Sequence, residues 1–237
     1  MTSAALVGST GLVGSNILQT LLNHPGITTI PVFSRRTLTE SDPYCKLRPV
    51  INTDTTQWIS TLSKINPPPH MFISALGTTR AIAGGLENQR KVDYDLNLDL
   101  ARAAKKAGAR VYVLISSASS SSSSRVPYSK MKGELEEAVQ ELGFQHTVLV
   151  RPGLIVGGRE DSRPPEAFMR FVARFAGAVS GSYLKDGWAQ DADVIAKAAV
   201  HAGLLCLEGK APEGKTWIVG QADVVRLGRT EWVDEEV

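Results

Sequence analysis

"LVGSTGLVGSNIL", Leu6 to Leu18, is the stretch on which the reading of the fold turns. Gly8, Gly11 and Gly14 stand three residues apart between an apolar run, "AALVG" (Ala4 to Gly8), and a segment with Ile17, Leu18, Leu21 and Leu22 at helical spacing. Such a short, continuously apolar run suits a strand buried on both faces of a parallel sheet. Glycines at the strand–helix junction let the backbone turn tightly and approach a pyrophosphate, and let helix pack close on strand. The helix N-terminus then faces the phosphate charge. Gly8, Ser9, Thr10, Gly11, Leu12, Val13 and Gly14 are therefore predicted to form a dinucleotide-binding turn.

Outward from this turn, strand-like and helix-like segments alternate. "TIPVFS" (Thr29 to Ser34) reads as a second strand, although Pro31 cannot donate to a ladder. "RPVI" near residue 50 reads as a short third strand, followed by a helix from about Thr55 to Lys64. "HMFISALG" (His70 to Gly77) is a fourth strand running into a glycine turn, and residues 88 to 107 form one long helix striped by Val92, Leu96, Leu100, Ala103 and Ala107. "RVYVLIS", a helix over residues 128 to 142, and "HTVLVRPG" (His146 to Gly153) complete the rhythm. The expectation is an α/β fold: a doubly wound parallel sheet of the NAD(P)-binding Rossmann type. Residues 1 to 155 form its core. Residues 156 to 237 form a small C-terminal substrate cap and remaining sheet elements of the same single domain, including an amphipathic helix with Phe168, Phe171, Val172 and Phe175. The final "EWVDEEV" reads as a solvated tail.

Composition narrows the class. Apolar residues make up 43% and charged residues 21%, as in a globular protein with a real core. A net charge of +2 argues against nucleic-acid binding, which needs a marked basic face. Cys45 and Cys206 stand alone, and His24, His70, His146 and His201 form no metal-spaced pair, so neither a disulfide framework nor a metal site is expected. The longest apolar run, Val194 to Leu207, is broken by Lys197 and His201. No transmembrane helix or cleavable presequence is expected, and any membrane association would be peripheral.

The end of the second strand bears on the choice between the two nicotinamide dinucleotides. A carboxylate there would bond the ribose 2′-hydroxyl of NAD, whereas arginine accommodates a 2′-phosphate. The chain has "FSRRT", with Ser34, Arg35 and Arg36 and no carboxylate before Glu40. NADP(H) is the expected cofactor. The two arginines argue against an epimerase or dehydratase holding NAD.

The chemistry is expected at the far end of the fifth strand. "LISS" places Ser116 and Ser117 at its carboxyl end, where ligands bind in such sheets. A hydroxyl there can stabilise charge developing on a carbonyl oxygen. Tyr128 and Lys132 are four residues apart on one helical face. A phenol is a poor acid–base group at neutral pH, but a nearby ammonium favours the phenolate. The six serines Ser119 to Ser124 between these groups read as a flexible loop.

With these motifs together, the chain resembles an atypical short-chain dehydrogenase/reductase. "SRR", "ALGTTR" and "RPGLIVGGREDSRP" resemble a narrower group, which contains the human Tat-interactive protein and the fungal "found in mitochondrial proteome" proteins. The resemblance implies NADPH with its phosphates at Gly8 to Gly14 and its 2′-phosphate at Arg35 and Arg36. It puts the nicotinamide side near Leu76, Gly77, Thr78 and Thr79, with Pro152, Gly153, Leu154 and Ile155 lining the pocket. Ser117, Tyr128 and Lys132 match the catalytic positions, with Ser116 as the other serine. Extended members carry an asparagine early in the long helix, and Asp93 stands at that position here. The implied activity is hydride transfer to or from a small carbonyl or alcohol. The alternative is an NADPH-binding regulatory or scaffold protein without appreciable turnover. The implied location is the cytoplasmic side, peripheral on the mitochondrial outer membrane.

Overall fold

Alternation of buried residues along the first strand organises the molecule. A computed structural model describes residues 2–156 and 189–233. In β1 (Thr2–Val7), Ala4 and Leu6 point into one apolar layer and Ala5 and Val7 into the other. Both faces of this strand are thus covered, which is why it reads as an unbroken apolar run. The chain continues through α1 (Leu12–Asn23), β2 (Ile27–Ser34), β3 (Leu47–Ile51), α2 (Thr56–Leu62) and β4 (Met71–Ser74). Short helices α3 (Arg80–Ala83) and α4 (Leu86–Arg90) precede α5 (Asn97–Ala107), β5 (Val111–Ile115), α6 (Pro127–Glu141) and β6 (His146–Val150). Then follow β7 (Leu154–Val156), β8 (Ala189–Asp191), α7 (Ala192–Leu207), β9 (Thr216–Val219) and α8 (Gln221–Val225).

Seven strands form one parallel sheet in the order β3-β2-β1-β4-β5-β6-β9. Helices α1 and α7 cover one face; α2, α5 and α6 cover the other. The strand order reverses between β1 and β4, so the loops leaving these two strands diverge and open a crevice at the carboxyl edge. Strands β7 and β8 pair separately, in parallel.

Two expectations change, one at the long helix and one at the C-terminal tail. The long helix over 88–107 is interrupted: α4 passes into a π-helical stretch, Lys91–Leu96, before α5 begins. The wider turn rotates the buried face, so Asp93 and Asn97 are buried while Val92 and Leu96 are only partly so. Pro31 lies inside β2, which is extended and buried around it. The described part of the C-terminal stretch completes the sheet: β9 is its last strand, and α7 packs beside α1. The Phe168, Phe171, Val172 and Phe175 stripe lies outside the described residues. Finally, Trp232 of the supposed solvated tail packs its ring against His24 and His201, with centroids 6.0 and 5.9 Å away.

Candidate functional site

The crevice floor is built by close backbone approach. Gly8 has φ +85°, a left-handed conformation that side-chain-bearing residues rarely adopt, and a Cβ there would lie 2.5 Å from the Ala75 carbonyl. A Cβ on Gly14 would lie 2.0 Å from the Gly8 carbonyl oxygen. The turn after β1 therefore touches both the head of α1 and the loop after β4. Ser9 is buried in this turn, and its hydroxyl has no partner among the described residues. A buried polar atom without a partner is costly, and a phosphate oxygen would satisfy it. The turn thus has the shape and the free donor that a dinucleotide needs. Thr10 is exposed, Leu12 begins α1, and Val13 is buried.

At the end of β2, Ser34 is buried and its Oγ accepts the Arg36 N–H at 3.1 Å. This bond turns the chain outward, and Arg35 and Arg36 are both exposed at the crevice side of the sheet edge. The Leu76–Thr79 loop leaves β4 opposite them. It is held by Asp93 and by two side chains that sequence reasoning passed over, Gln89 and Asn97. Asp93 Oδ1 accepts the Thr78 N–H at 2.7 Å, and Gln89 Nε2 donates to the Thr78 carbonyl at 3.1 Å and to Asp93 Oδ2 at 3.3 Å. Asn97 donates to the Leu76 carbonyl at 3.3 Å and accepts from the Ser74 hydroxyl. Burial pushes the Asp93 carboxyl up, and the Lys132 charge and the Thr78 and Gln89 hydrogen bonds oppose that rise.

Helix α6 brings the second group of residues. Lys132 is only 4% exposed and makes no hydrogen bond among the described residues; the charge it presents is felt by Asp93. Tyr128, in the first turn, is 39% exposed. The two serines after β5 differ. Ser116 is buried and donates to Glu136 Oε1 at 2.5 Å, with Ser120 Oγ 2.9 Å away. Glu136 is in turn gripped by Arg151, whose Nε and Nη2 lie 3.1 and 2.5 Å from its two oxygens. Ser117 is half-buried, and among the described residues its hydroxyl meets only Ser119 Oγ at 3.1 Å and the Ser119 N–H at 3.3 Å. Ser116 thus has its proton committed to a carboxylate, and Ser117 is the freer hydroxyl. On the far wall, Pro152 is buried and Gly153, Leu154 and Ile155 are half-buried, with the Gly153 N–H donating to Gln190 Oε1 at 2.7 Å.

The serine run is not the loose loop expected. The Ser121 N–H donates to the Ser129 carbonyl at 3.0 Å, Ser129 Oγ donates to Ser119 at 3.1 Å, and Ser122 donates to Glu137. Its backbone lies so close to α6 that a Cβ on Gly133 would be 2.2 Å from the Ser122 nitrogen. Hydroxyls of Ser122 and Ser129 thus tie the run to α6, a pattern invisible to composition.

Comparison with known proteins places this arrangement. The family model HIM1 matches residues 51–170. The Aspergillus terreus protein fmp52-1, mitochondrial, is 54% identical over 97% of this chain and 100% of its own. The Neurospora crassa protein fmp-52, mitochondrial, is 46% identical over 98% of this chain and 97% of its own. Among solved structures, MoeE5 in complex with UDP-glucose and NAD superimposes with a TM-score of 0.65 at 14% identity, covering 97% of this chain and 81% of that one. The Bordetella bronchiseptica enzyme WbmF in complex with NAD+ gives 0.63 at 14% identity, covering 95% and 86%. At such identity these neighbours establish the Rossmann fold. The fungal relatives are named as mitochondrial, which overturns the expectation of a cytoplasmic-side location. No helix among the described residues is long and apolar enough to cross a membrane.

Proposed function

The chain belongs to the HIM1 family, together with the fungal Fmp52 mitochondrial proteins, and from that footing we propose that it is an NADP(H)-dependent oxidoreductase of the short-chain dehydrogenase/reductase type, working in the mitochondrion on a small carbonyl compound or its alcohol. The observation that carries the reading is a convergence. The glycine turn, the Leu76–Thr79 loop and the buried Lys132 all meet at the carboxyl edge where the strand order reverses. Kinship with the human Tat-interactive protein is part of the same proposal and rests on "SRR", "ALGTTR" and "RPGLIVGGREDSRP".

Gly8 to Gly14 would take the pyrophosphate, with the Ser9 hydroxyl as donor. Arg35 and Arg36 would pair with the 2′-phosphate through charge-assisted bonds. Bound NADP(H) supplies the hydride chemistry. Ser117 polarises the substrate oxygen, and Tyr128 gives or takes the proton at its phenol oxygen. Lys132 would hold the nicotinamide ribose, and Pro152 to Ile155 would close the pocket. The exposed position of Tyr128 favours a second reading, an NADPH-binding regulatory or scaffold protein. Stopped-flow oxidation of NADPH against a library of carbonyl compounds decides between them. Turnover supports the enzyme; tight NADPH binding with no turnover across the library supports the regulator.

A further inference from the structure

The chain leaving β4 makes a closed excursion before α5 begins, and hydrogen bonds at Thr78 form its neck. The Thr78 N–H donates to Asp93 Oδ1 at 2.7 Å, and Gln89 Nε2 donates to the Thr78 carbonyl at 3.1 Å. Gln89 and Asp93 are both buried, so the neck is buried too. The returning arm is fixed as well. Arg90 pairs with Glu134 of α6 at 2.8 Å, and its guanidinium carbon lies 4.2 Å from the centre of the Tyr94 ring. Between these anchors residues 79–88 project from the carboxyl edge of β4. Their root is in the crevice, where the Leu76 nitrogen would lie 2.7 Å from a Cβ on Gly8. Loops of about 6–16 residues with their ends drawn together are frequently functional.

The excursion carries exposed apolar side chains on a thinly packed support. Thr79 Oγ1 caps α3 by accepting the Ile82 N–H at 3.2 Å, and none of the residues of α3 is buried. Ile82 is 57% exposed, and Leu86 is exposed beside it in α4. Two glycines separate these helices, Gly84 at φ +74° and Gly85 at φ +145°. Among the described residues nothing lies within 4 Å of a Cβ added to either. Close packing therefore does not require glycine here; the backbone conformation does.

We propose that residues 79–85 are a flap: α3 swings on Gly84 and Gly85 over the crevice when NADPH occupies it, and Ile82 becomes the flap's apolar contact. The inference rests on the NADP(H) reading for the occupant of the crevice. Burial drives the closure, because an isoleucine left in water gains free energy when it is covered. The fixed neck confines the movement to the arm between Thr78 and Gln89, so few residues have to be ordered. A closed flap keeps water from the site and slows the escape of what it covers.

Hydrogen exchange read by mass spectrometry tests the movement in the full chain. Peptides spanning residues 79–88 are expected to exchange rapidly in the free protein and about tenfold more slowly with NADPH at saturation. Stopped-flow NADPH fluorescence tests the contact. Ile82→Ser is expected to speed NADPH dissociation about tenfold, the worth of part of an isoleucine's burial. Its association rate should stay within about twofold of the parent, because the flap closes after the encounter. Ile218→Ser is the control, at a residue 48% exposed on β9, and should change neither rate. NADPH binding without protection of residues 79–88, or an unchanged dissociation rate in Ile82→Ser, overturns the flap and leaves the cofactor reading intact. Failure of the unmodified protein to bind NADPH overturns the cofactor reading and the flap with it.

Discussion

A Cβ added to Gly14 would stand 2.0 Å from the carbonyl oxygen of Gly8, so the first helix leaves the first strand with backbone pressed on backbone. Gly14→Ala must therefore displace one of them, and overpacking of this kind costs about 1–3 kcal/mol. Gly220→Ala is the control, because no atom lies within 4 Å of its added carbon. Urea denaturation should show the loss for Gly14→Ala alone, and calorimetry should show its NADPH affinity reduced. Normal NADPH binding by Gly14→Ala would refute the phosphate turn.

Arg35 and Arg36 are exposed at the end of β2, where the proposed function has them pair with the 2′-phosphate. NADPH at a hundredfold excess over its Kd should stabilise the protein by about 2.7 kcal/mol. NADH at the same concentration should stabilise it less, and replacing both arginines with alanine should erase most of the difference. Equal melting shifts for the two cofactors in the unmodified protein would sink the NADP assignment.

Tyr128→Phe removes one hydroxyl from a ring that is 39% exposed. Stability should stay within about 0.5 kcal/mol, as for surface substitutions generally. Carbonyl reduction should fall by about a hundredfold to ten-thousandfold, the contribution of a general acid. A substrate turned over at the original rate by Tyr128→Phe would remove the phenol from the mechanism.

Glu136 is 2% exposed and shares its oxygens between Ser116 and Arg151. Arg151→Met leaves that carboxylate buried without its cation and should cost about 3 kcal/mol. Adding Glu136→Gln should recover part of the loss, because the amide carries no charge to desolvate. Chemical denaturation of the single and double variants measures it. Recovery is the informative outcome, since it assigns the loss to the stranded charge rather than to packing.

Gly133→Ala tests the order of the serine run. Its Cβ would meet the Ser122 nitrogen at 2.2 Å and force the Ser121–Ser122 backbone off α6. Stability should drop by about 1–3 kcal/mol, and limited proteolysis within Ser119 to Ser124 should accelerate. A variant as stable and as resistant as the parent would restore the flexible-loop reading.

Local sequence determined the parallel sheet, the glycine turn and the strand ends followed by Arg35 and Ser117, because each depends on periodicity or on a residue type at one junction. Gly8 and Gly14 were legible for that reason: the constraint on them is steric and lies within a few residues. The break in the long helix at Lys91–Leu96 was not, since "KVDYDLNLDL" fits an unbroken apolar stripe well enough and the wider turn is decided by what Asp93 and Asn97 bond. Those partners, Thr78 and Leu76, come from another loop. The same holds for the serines. Ser116 and Ser117 are indistinguishable in "LISS", and it is Glu136, twenty residues on, that takes the proton of the first and not of the second, which meets Ser119 instead. Composition likewise made Ser119 to Ser124 a flexible tract, whereas a helix carrying Gly133 offers it a surface to lie on. Tertiary structure decided these points because a hydrogen bond to a buried carboxylate or a close backbone contact depends on distance in space, which residue spacing along the chain does not encode.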